Sequence, residues 1–151
     1  MMYYAWAPVR LPVPALQRNA VGEDKKYVLM VDDDPGFAKV VRIYLEHSGF
    51  EVVWASSGKK ALKAISSRLP DVMILDVMMP KMNGIEVCRD VRARMGLRRL
   101  PIIVLTAYPN EDIKTQMIGL GADLYLTKPI GMEALVENIL QVFRANHEQR
   151  P

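Results

Sequence analysis

The sequence predicts a doubly wound α/β fold, in which helices cover both faces of a five-stranded parallel sheet. Two observations predict it. Five short apolar runs, rich in Val, Ile and Leu, have the length and composition of strands buried on both faces. After each run, apolar residues recur every three to four positions, which is typical of an amphipathic helix. Because strands and helices alternate strictly, the connections must be right-handed crossovers and the sheet must be parallel.

The individual elements follow from the local patterns. The predicted strands are residues 27–31, 52–55, 72–75, 102–105 and 124–126. Apolar stripes at helical spacing cover residues 37–45, 61–65, 85–91, 113–120 and 132–143. Asp34 precedes Pro35 and is predicted to cap the first helix, which ends near Gly49. Asn83-Gly84 is typical of a turn followed by a helix cap.

Composition sets wide limits. The chain has 151 residues, half of them hydrophobic, which suits one domain with a single core. Its net charge of +3 carries no information about partners, since acids are nearly as numerous as bases. Cys88 is the only cysteine and lies on a helical stripe, so we expect a small core residue rather than a nucleophile. A reducing, cytoplasmic setting is the default expectation.

The first 26 residues differ from the rest. Pro8, Pro12 and Pro14 interrupt any helix, and the apolar residues show no period, so we expect a flexible arm. Aromatic residues near its start leave a docking role open. No stretch has the pattern of a secretory signal or the length of a membrane span, so no membrane insertion is expected. The predicted organisation is a Pro-containing arm, a compact domain and a short tail, over residues 1–26, 27–146 and 147–151.

Polar residues follow four of the five predicted strands. Asp32 and Asp33 follow the first strand, Asp76 the third, Thr106 the fourth and Lys128 the fifth. The carboxyl ends of parallel strands meet at one edge of the sheet, which is where ligands of such folds bind. Three carboxylates gathered there repel one another and require a divalent cation, Mg²⁺ or Mn²⁺.

These residue types suit chemistry on phosphorus. A carboxylate can attack phosphorus if a hard cation neutralises the phosphoryl oxygens. Asp33 and Asp76 are suitable direct ligands of that cation, and Asp32 could hold a coordinated water. Lys128 and Thr106 can donate to the charge that develops on the transferring group. Each residue alone is more often a strand-end cap or loop residue, and only their joint order favours the chemical interpretation.

Five motifs carry a resemblance to a known family. In chain order they are Val31-Asp32-Asp33-Asp34-Pro35, Ile74-Leu75-Asp76-Val77-Met78-Met79-Pro80, Met82-Asn83-Gly84, Val104-Leu105-Thr106-Ala107 and Tyr125-Leu126-Thr127-Lys128-Pro129. Singly each motif is weak, but in this order they closely resemble the receiver domain of two-component response regulators. The resemblance covers about residues 26–145. It implies a flavodoxin-like sheet with strand order 2-1-3-4-5.

The resemblance implies a phospho-acceptor. Asp76 would take a phosphoryl group from a sensor histidine kinase or a phosphotransfer protein. Asp32 and Asp33 would be the acidic pair, and the backbone carbonyl of Met78 would be a further ligand of Mg²⁺ beside Asp76. Such a protein is not an enzyme with turnover, and shows at most self-catalysed phosphotransfer and slow autodephosphorylation.

The resemblance also implies a switch. Thr106 and Lys128 would contact the phosphoryl group, and the Lys128–Pro129 peptide bond would be cis. Thr106 would move inward and Tyr125 would turn into the space it leaves, which changes the surface of the fourth helix, fifth strand and fifth helix. From the residues alone, Tyr125 is equally consistent with a core aromatic of a buried strand.

That surface would contact a downstream protein effector, and it could form a homodimer. The salt-bridged dimer of winged-helix regulators is doubtful here, because Asp123 is followed by Leu124 rather than a second acid and no arginine lies near Asn138. The chain ends at Pro151, so we expect a receiver without an effector domain. No direct contact with nucleic acid is expected. The basic stretch of residues 89–99 is interpreted as a solvated face.

Three other functions compete with the phosphorylation switch. A phosphorylation-independent scaffold would keep the fold and not use Asp76. A phosphatase with an aspartyl nucleophile would need a second acid two residues after Asp76, where this chain has Met78. A flavin-binding protein can share the same strand order.

Overall fold

The structure is a computed structural model that describes residues 25–148. The five strands are β1 Tyr27–Val31, β2 Glu51–Ala55, β3 Val72–Leu75, β4 Ile102–Thr106 and β5 Leu124–Thr127. They pair in parallel in the order β2-β1-β3-β4-β5. The predicted doubly wound fold and its strand order are confirmed, and each observed strand matches its predicted run to within one residue at either end.

The helices alternate with the strands as predicted. They are α1 Pro35–His47, α2 Gly58–Ser67, α3 Gly84–Arg89, α4 Glu111–Gly119 and α5 Met132–Glu148, and α3 continues into a π-helical turn over Asp90–Arg94. α5 includes His147 and Glu148, where the predicted tail begins. The predicted arm lies outside the described residues as far as residue 24, as do residues 149–151 of the tail. In the part of the chain that is described, no helix combines the length and hydropathy needed to cross a membrane.

Alternate residues of the central strands face opposite sides of the sheet. Val28 and Ile74 face α1 and α5, whereas Leu29, Leu75 and their neighbours face α2, α3 and α4. Each side forms a buried cluster of apolar side chains. Since both faces of β1, β3 and β4 are covered, these strands consist of apolar residues apart from Thr106 at the end of β4, which is why their runs are visible in the sequence.

Local side-chain chemistry sets where the helices begin. The Asp34 side chain accepts the N–H groups of Gly36 and Phe37, which confirms its predicted capping role. Asn83 and Glu86 form a reciprocal capping box at the start of α3. Gly49, with φ of 95°, takes the left-handed conformation after α1. The starts of α1 and α3, the helices that follow β1 and β3, are therefore specified by residues next to them in the sequence.

Arg92 departs from the predicted solvated basic face. Its side chain is only 12% exposed, whereas that of Arg94 is 79% exposed. The Arg92 guanidinium donates to the carbonyls of Leu97 at 2.5 Å and Gly121 at 2.7 Å. Carbonyls in loops lack the partners that a helix or strand supplies, and this arginine provides donors to two of them in two connections of the chain.

Candidate functional site

The sheet register brings two of the predicted acids side by side. β1 lies between β2 and β3, so that Val31 pairs with both Ala55 and Leu75. The ladder continues one residue further, because the Asp32 N–H donates to the Ala55 carbonyl and the Asp76 N–H donates to the Val31 carbonyl. Asp32 and Asp76 therefore leave neighbouring strands at the same edge of the sheet.

Three carboxylates converge at this edge. One carboxylate oxygen from each of Asp32, Asp33 and Asp76 lies within 4.8 Å of the others. Asp32 and Asp76 are buried, with 1% and 6% of their surface exposed, and Asp33 is exposed to solvent. Oxygen ligands of this charge and spacing fit a hard divalent cation, and one ligand is open to the solvent from which the cation would enter.

Lys128 lies within the same cluster. Its Nζ is 2.6 Å from Asp32 Oδ2 and 3.8 Å from Asp76 Oδ2. The Lys128 backbone N–H donates to the Thr106 carbonyl, which holds the end of β5 against the end of β4. The Lys128–Pro129 peptide bond is cis, as the sequence resemblance implies. The ammonium thus offsets part of the negative charge of the carboxylates.

Thr106 and Tyr125 meet at one loop residue. Thr106 is fully buried, and its Oγ1 accepts the Tyr108 N–H at 3.3 Å. The Tyr125 hydroxyl donates to the Tyr108 carbonyl at 3.1 Å. Tyr125 also packs, half-buried, against the core cluster on its side of the sheet. It is therefore a core aromatic and also a hydrogen-bond partner of the loop after Thr106.

The loop after Asp76 lies very close to the start of α3. The Met78 N–H donates to Asp76 Oδ1 at 3.4 Å, and the Met78 side chain is exposed. A Cβ atom on Gly84 would lie 2.5 Å from the Asp76 carbonyl oxygen and 2.8 Å from the Val77 Cα. Only glycine fits there. The sequence interpretation of Asn83-Gly84 as a turn and cap is correct, but it missed this contact with the backbone of Asp76.

Two aromatic side chains beside the site were also missed. The Trp54 indole N–H, from edge strand β2, donates to the Asp32 carbonyl at 2.8 Å. The ring of Phe37, from the first turn of α1, lies with its centroid 4.1 Å from Lys128 Nζ. Both residues occur in apolar patterns typical of a strand and a core helix. In the sequence, Phe37 stands close to the strand end that carries Asp32 and Asp33, whereas Trp54 lies near the end of the one predicted strand that none of these polar residues follows.

The environment of Asp76 disfavours its charged form. Burial is the largest cause and raises the pKa of the Asp76 carboxyl group, and the nearby Asp32 charge acts in the same direction. Lys128, the Met78 N–H and the Thr106 hydroxyl act against this and lower the Asp76 pKa. Because burial dominates, the folded protein holds the Asp76 proton more tightly than the unfolded chain does.

Ionisation of Asp76 is expected to lower the stability of the folded protein. The pKa of Asp76 is higher in the folded protein than in the unfolded chain. Stability therefore falls as the pH rises from the unfolded-state pKa to the folded-state pKa, and above both values the full loss of stability is present. Asp76→Asn removes that effect, so we expect a higher Tm than wild type at about pH 8 without divalent cations, and a smaller difference at about pH 4. Thermal unfolding followed by circular dichroism measures this. The exposed Asp112→Asn serves as the control, and a lower Tm for Asp76→Asn at the higher pH would contradict the prediction.

Comparison with known proteins agrees with the resemblance that the sequence motifs carry. The family model described as "Response regulator receiver domain" matches residues 28–140. The alkaline phosphatase synthesis transcriptional regulatory protein PhoP of Bacillus subtilis is 37% identical over 126 residues, which cover 83% of this chain and 52% of that protein. The transcriptional regulatory protein KdpE of Mycobacterium tuberculosis is 40% identical over 119 residues, 79% of this chain and 51% of that protein. The chain thus spans about half the length of these curated relatives.

Among solved structures, the chemotaxis protein CheY4 of Vibrio cholerae superimposes with a TM-score of 0.75 at 33% sequence identity, over 79% of this chain and 99% of that one. Nearly all of that structure therefore corresponds to the sheet and helices described above.

Proposed function

The chain belongs to the family of response regulator receiver domains of two-component systems, and from that premise we propose that it is a phosphorylation-dependent switch whose acceptor is Asp76. The observation that carries the proposal is the convergence of three carboxylates within 4.8 Å, with the Lys128 ammonium against two of them. Stability alone does not explain this cluster of charged groups. Burial raises the pKa of Asp76, so the folded protein disfavours the charged form of this carboxylate.

The transfer is a nucleophilic displacement on phosphorus. A carboxylate oxygen of Asp76 forms the new bond to phosphorus, and the bond from phosphorus to the imidazole nitrogen of a phosphohistidine breaks. The electron pair of the broken bond stays on that nitrogen. The product is an acyl phosphate on Asp76, and water later attacks it to regenerate the carboxylate and release inorganic phosphate. The chain acts as an acceptor and not as a turnover enzyme.

The residues present fit a divalent cation. Asp32, Asp33, Asp76 and the Met78 carbonyl would hold Mg²⁺ or Mn²⁺. Once bound, the cation neutralises charge on the phosphoryl oxygens and on the carboxylates. Lys128 and the Thr106 hydroxyl are the donors that this chain itself supplies to the phosphoryl group. Lys128 already lies 3.8 Å from Asp76 Oδ2, so a short movement of its side chain suffices.

The output is proposed to pass through the surface formed by α4, β5 and α5. Thr106 and Tyr125 both hydrogen-bond the backbone of Tyr108 in the loop before α4, so a movement of Thr106 is transmitted to Tyr125 and to α4. Phosphorylation shifts the population between two arrangements of this loop, and a partner selects one of them.

The proposed partners are proteins. A sensor histidine kinase or a phosphotransfer protein supplies the phosphoryl group, and a downstream effector reads the surface. A homodimer through the same surface is the alternative form of output. Curated relatives are titled transcriptional regulatory proteins. For this chain, we propose that the described residues do not themselves contact nucleic acid.

Intact-mass spectrometry tests the proposal. We expect wild-type protein treated with acetyl phosphate to gain the mass of one phosphoryl group when Mg²⁺ is present, and to gain nothing when it is chelated. Borohydride reduction of the acyl phosphate and peptide mapping should then locate the modification at Asp76. Metal binding is followed separately by Trp54 fluorescence in a Trp6→Phe background, since these are the two tryptophans of the chain. Metal binding without any phosphoryl adduct, from either acetyl phosphate or a phosphorylated phosphotransfer protein, would overturn the proposal.

A further inference from the structure

Lys128 is held by an aromatic ring as well as by carboxylates. Its Nζ lies 4.1 Å from the centroid of the Phe37 ring, and its side chain is only 16% exposed. A cation at this distance from an aromatic ring is attracted by the negative face of the ring, and the attraction increases as water is excluded. The Lys128 ammonium therefore has three neighbours, namely Asp32, Asp76 and Phe37.

The backbone that carries Phe37 is fixed. Phe37 lies in the first turn of α1, and its N–H donates to Asp34 Oδ1 at 3.3 Å. Its half-buried side chain packs against the apolar cluster beneath α1 and α5. The ring can therefore act as a fixed wall on one side of Lys128, because its own position does not depend on the carboxylates.

The three neighbours of Lys128 differ in how they respond to a cation. Asp32 and Asp76 belong to the carboxylate cluster that would ligate the metal, so the metal competes with Lys128 for their negative charge. Phe37 is not a metal ligand and carries no charge to share. The contact with Phe37 is thus the one that persists when the carboxylates turn to the metal.

We propose that Phe37 is a positioning residue, whose ring keeps the Lys128 ammonium directed at Asp76 while Asp32 is engaged by the cation. The inference rests on the proposed function, since it concerns how Lys128 reaches a phosphoryl group on Asp76. Phe37 would thus affect the phosphorylation of Asp76, although its position in an apolar helical stripe of α1 indicates only a packing role.

The chain provides a matched control. Phe143 is also half-buried in the same apolar cluster, and its ring lies 6.0 Å from the ammonium of Lys26. Phe143 and Lys26 both lie outside the carboxylate site. Phe143→Leu therefore reproduces the loss of a packed ring without affecting Lys128. Phe37→Tyr retains the ring face, and Phe37→Leu removes it while keeping an apolar side chain.

The first measurement is the rate of Asp76 phosphorylation by acetyl phosphate at saturating Mg²⁺. We expect Phe37→Leu to be slower than wild type by about threefold to tenfold, the range expected for loss of a partly buried cation–ring contact. Phe37→Tyr and Phe143→Leu should remain within about twofold of wild type. A wild-type rate for Phe37→Leu, or an equal loss in Phe37→Tyr, would overturn the inference.

The second measurement does not require phosphorylation. The ring of Phe37 should shift the proton resonances of the Lys128 ε-methylene upfield, and these resonances are assigned by their absence in Lys128→Met. With Mg²⁺ present, the shift should persist in Phe37→Tyr and Phe143→Leu and be lost in Phe37→Leu. A Lys128 resonance that Phe37→Leu leaves unchanged would overturn the inference even if wild type is phosphorylated normally. If wild type is never phosphorylated, the proposed function fails, and this resonance alone decides whether Phe37 positions Lys128.

Discussion

Asp76→Asn is expected to abolish phosphorylation, slowing the appearance of the phosphoryl adduct by on the order of a thousandfold or more. The amide is nearly isosteric with the carboxylate but has no charged oxygen to attack phosphorus. The surrounding hydrogen bonds leave room for the substitution, because the backbone bond that Asp76 accepts from the Met78 N–H is long, at 3.4 Å. The rate of mass gain with acetyl phosphate and Mg²⁺ measures the effect.

Asp112→Asn is the matched control for that result. Asp112 is exposed in the first turn of α4 and lies outside the carboxylate cluster, so this variant should be labelled at the wild-type rate. Labelling of Asp76→Asn at the wild-type rate would mean that another residue is the acceptor. If Asp76→Asn and wild type bind an identified partner equally well under phosphorylating conditions, the phosphorylation-independent scaffold becomes the better explanation.

Gly84→Ala is expected to damage both stability and phosphorylation. The new methyl group would lie 2.5 Å from the Asp76 carbonyl oxygen and 2.8 Å from the Val77 Cα, and neither backbone atom can rotate away. Either α3 or the loop after β3 must shift. Overpacking of this kind lowers the free energy of unfolding by about 1–3 kcal/mol. Because displacement of a reacting group by about 1 Å can slow a reaction on the order of a hundredfold, we expect a large loss of phosphorylation rate at Asp76 as well.

Urea unfolding and the acetyl phosphate assay measure the two effects of Gly84→Ala. Gly119→Ala is the matched control, because Gly119 lies at the end of α4 and a Cβ there would meet nothing within 4 Å. Alanine is the better helix former, so this control should be unchanged or more stable by up to about 1 kcal/mol. Equal stabilities for Gly84→Ala and wild type would contradict the close contact between α3 and the loop after Asp76.

Local patterns were sufficient to predict the strands and the polar edge. β3 was predicted over its full observed length, since a strand covered on both faces must be apolar at every position. The cap formed by Asp34 was predictable because a capping side chain bonds backbone groups two and three residues away. Asp32 and Asp76 were expected at one edge because parallel strands all end on the same side.

Contacts between distant parts of the chain were not predictable in the same way. Trp54 bonds the carbonyl of a residue 22 positions away, and Lys128 bonds a carboxylate 96 positions away. The same holds for Phe37 beneath Lys128 and for Arg92, which was predicted to be solvated. In each case, the residue type is as common in an ordinary strand, helix or exposed surface as it is in the long-range contact that the structure shows.

The sequence by itself determined the order of elements, the strand ends that carry polar residues and the residue types suited to phosphorus and a divalent cation. Hydrophobic periodicity, capping and strand polarity act over a few neighbouring residues, so they can be deduced from the sequence alone. Only the tertiary structure decided which side chains surround Lys128 and why position 84 must be glycine. Those facts depend on separations of a few ångströms between elements far apart in the chain, which are set by how both faces of the sheet are packed.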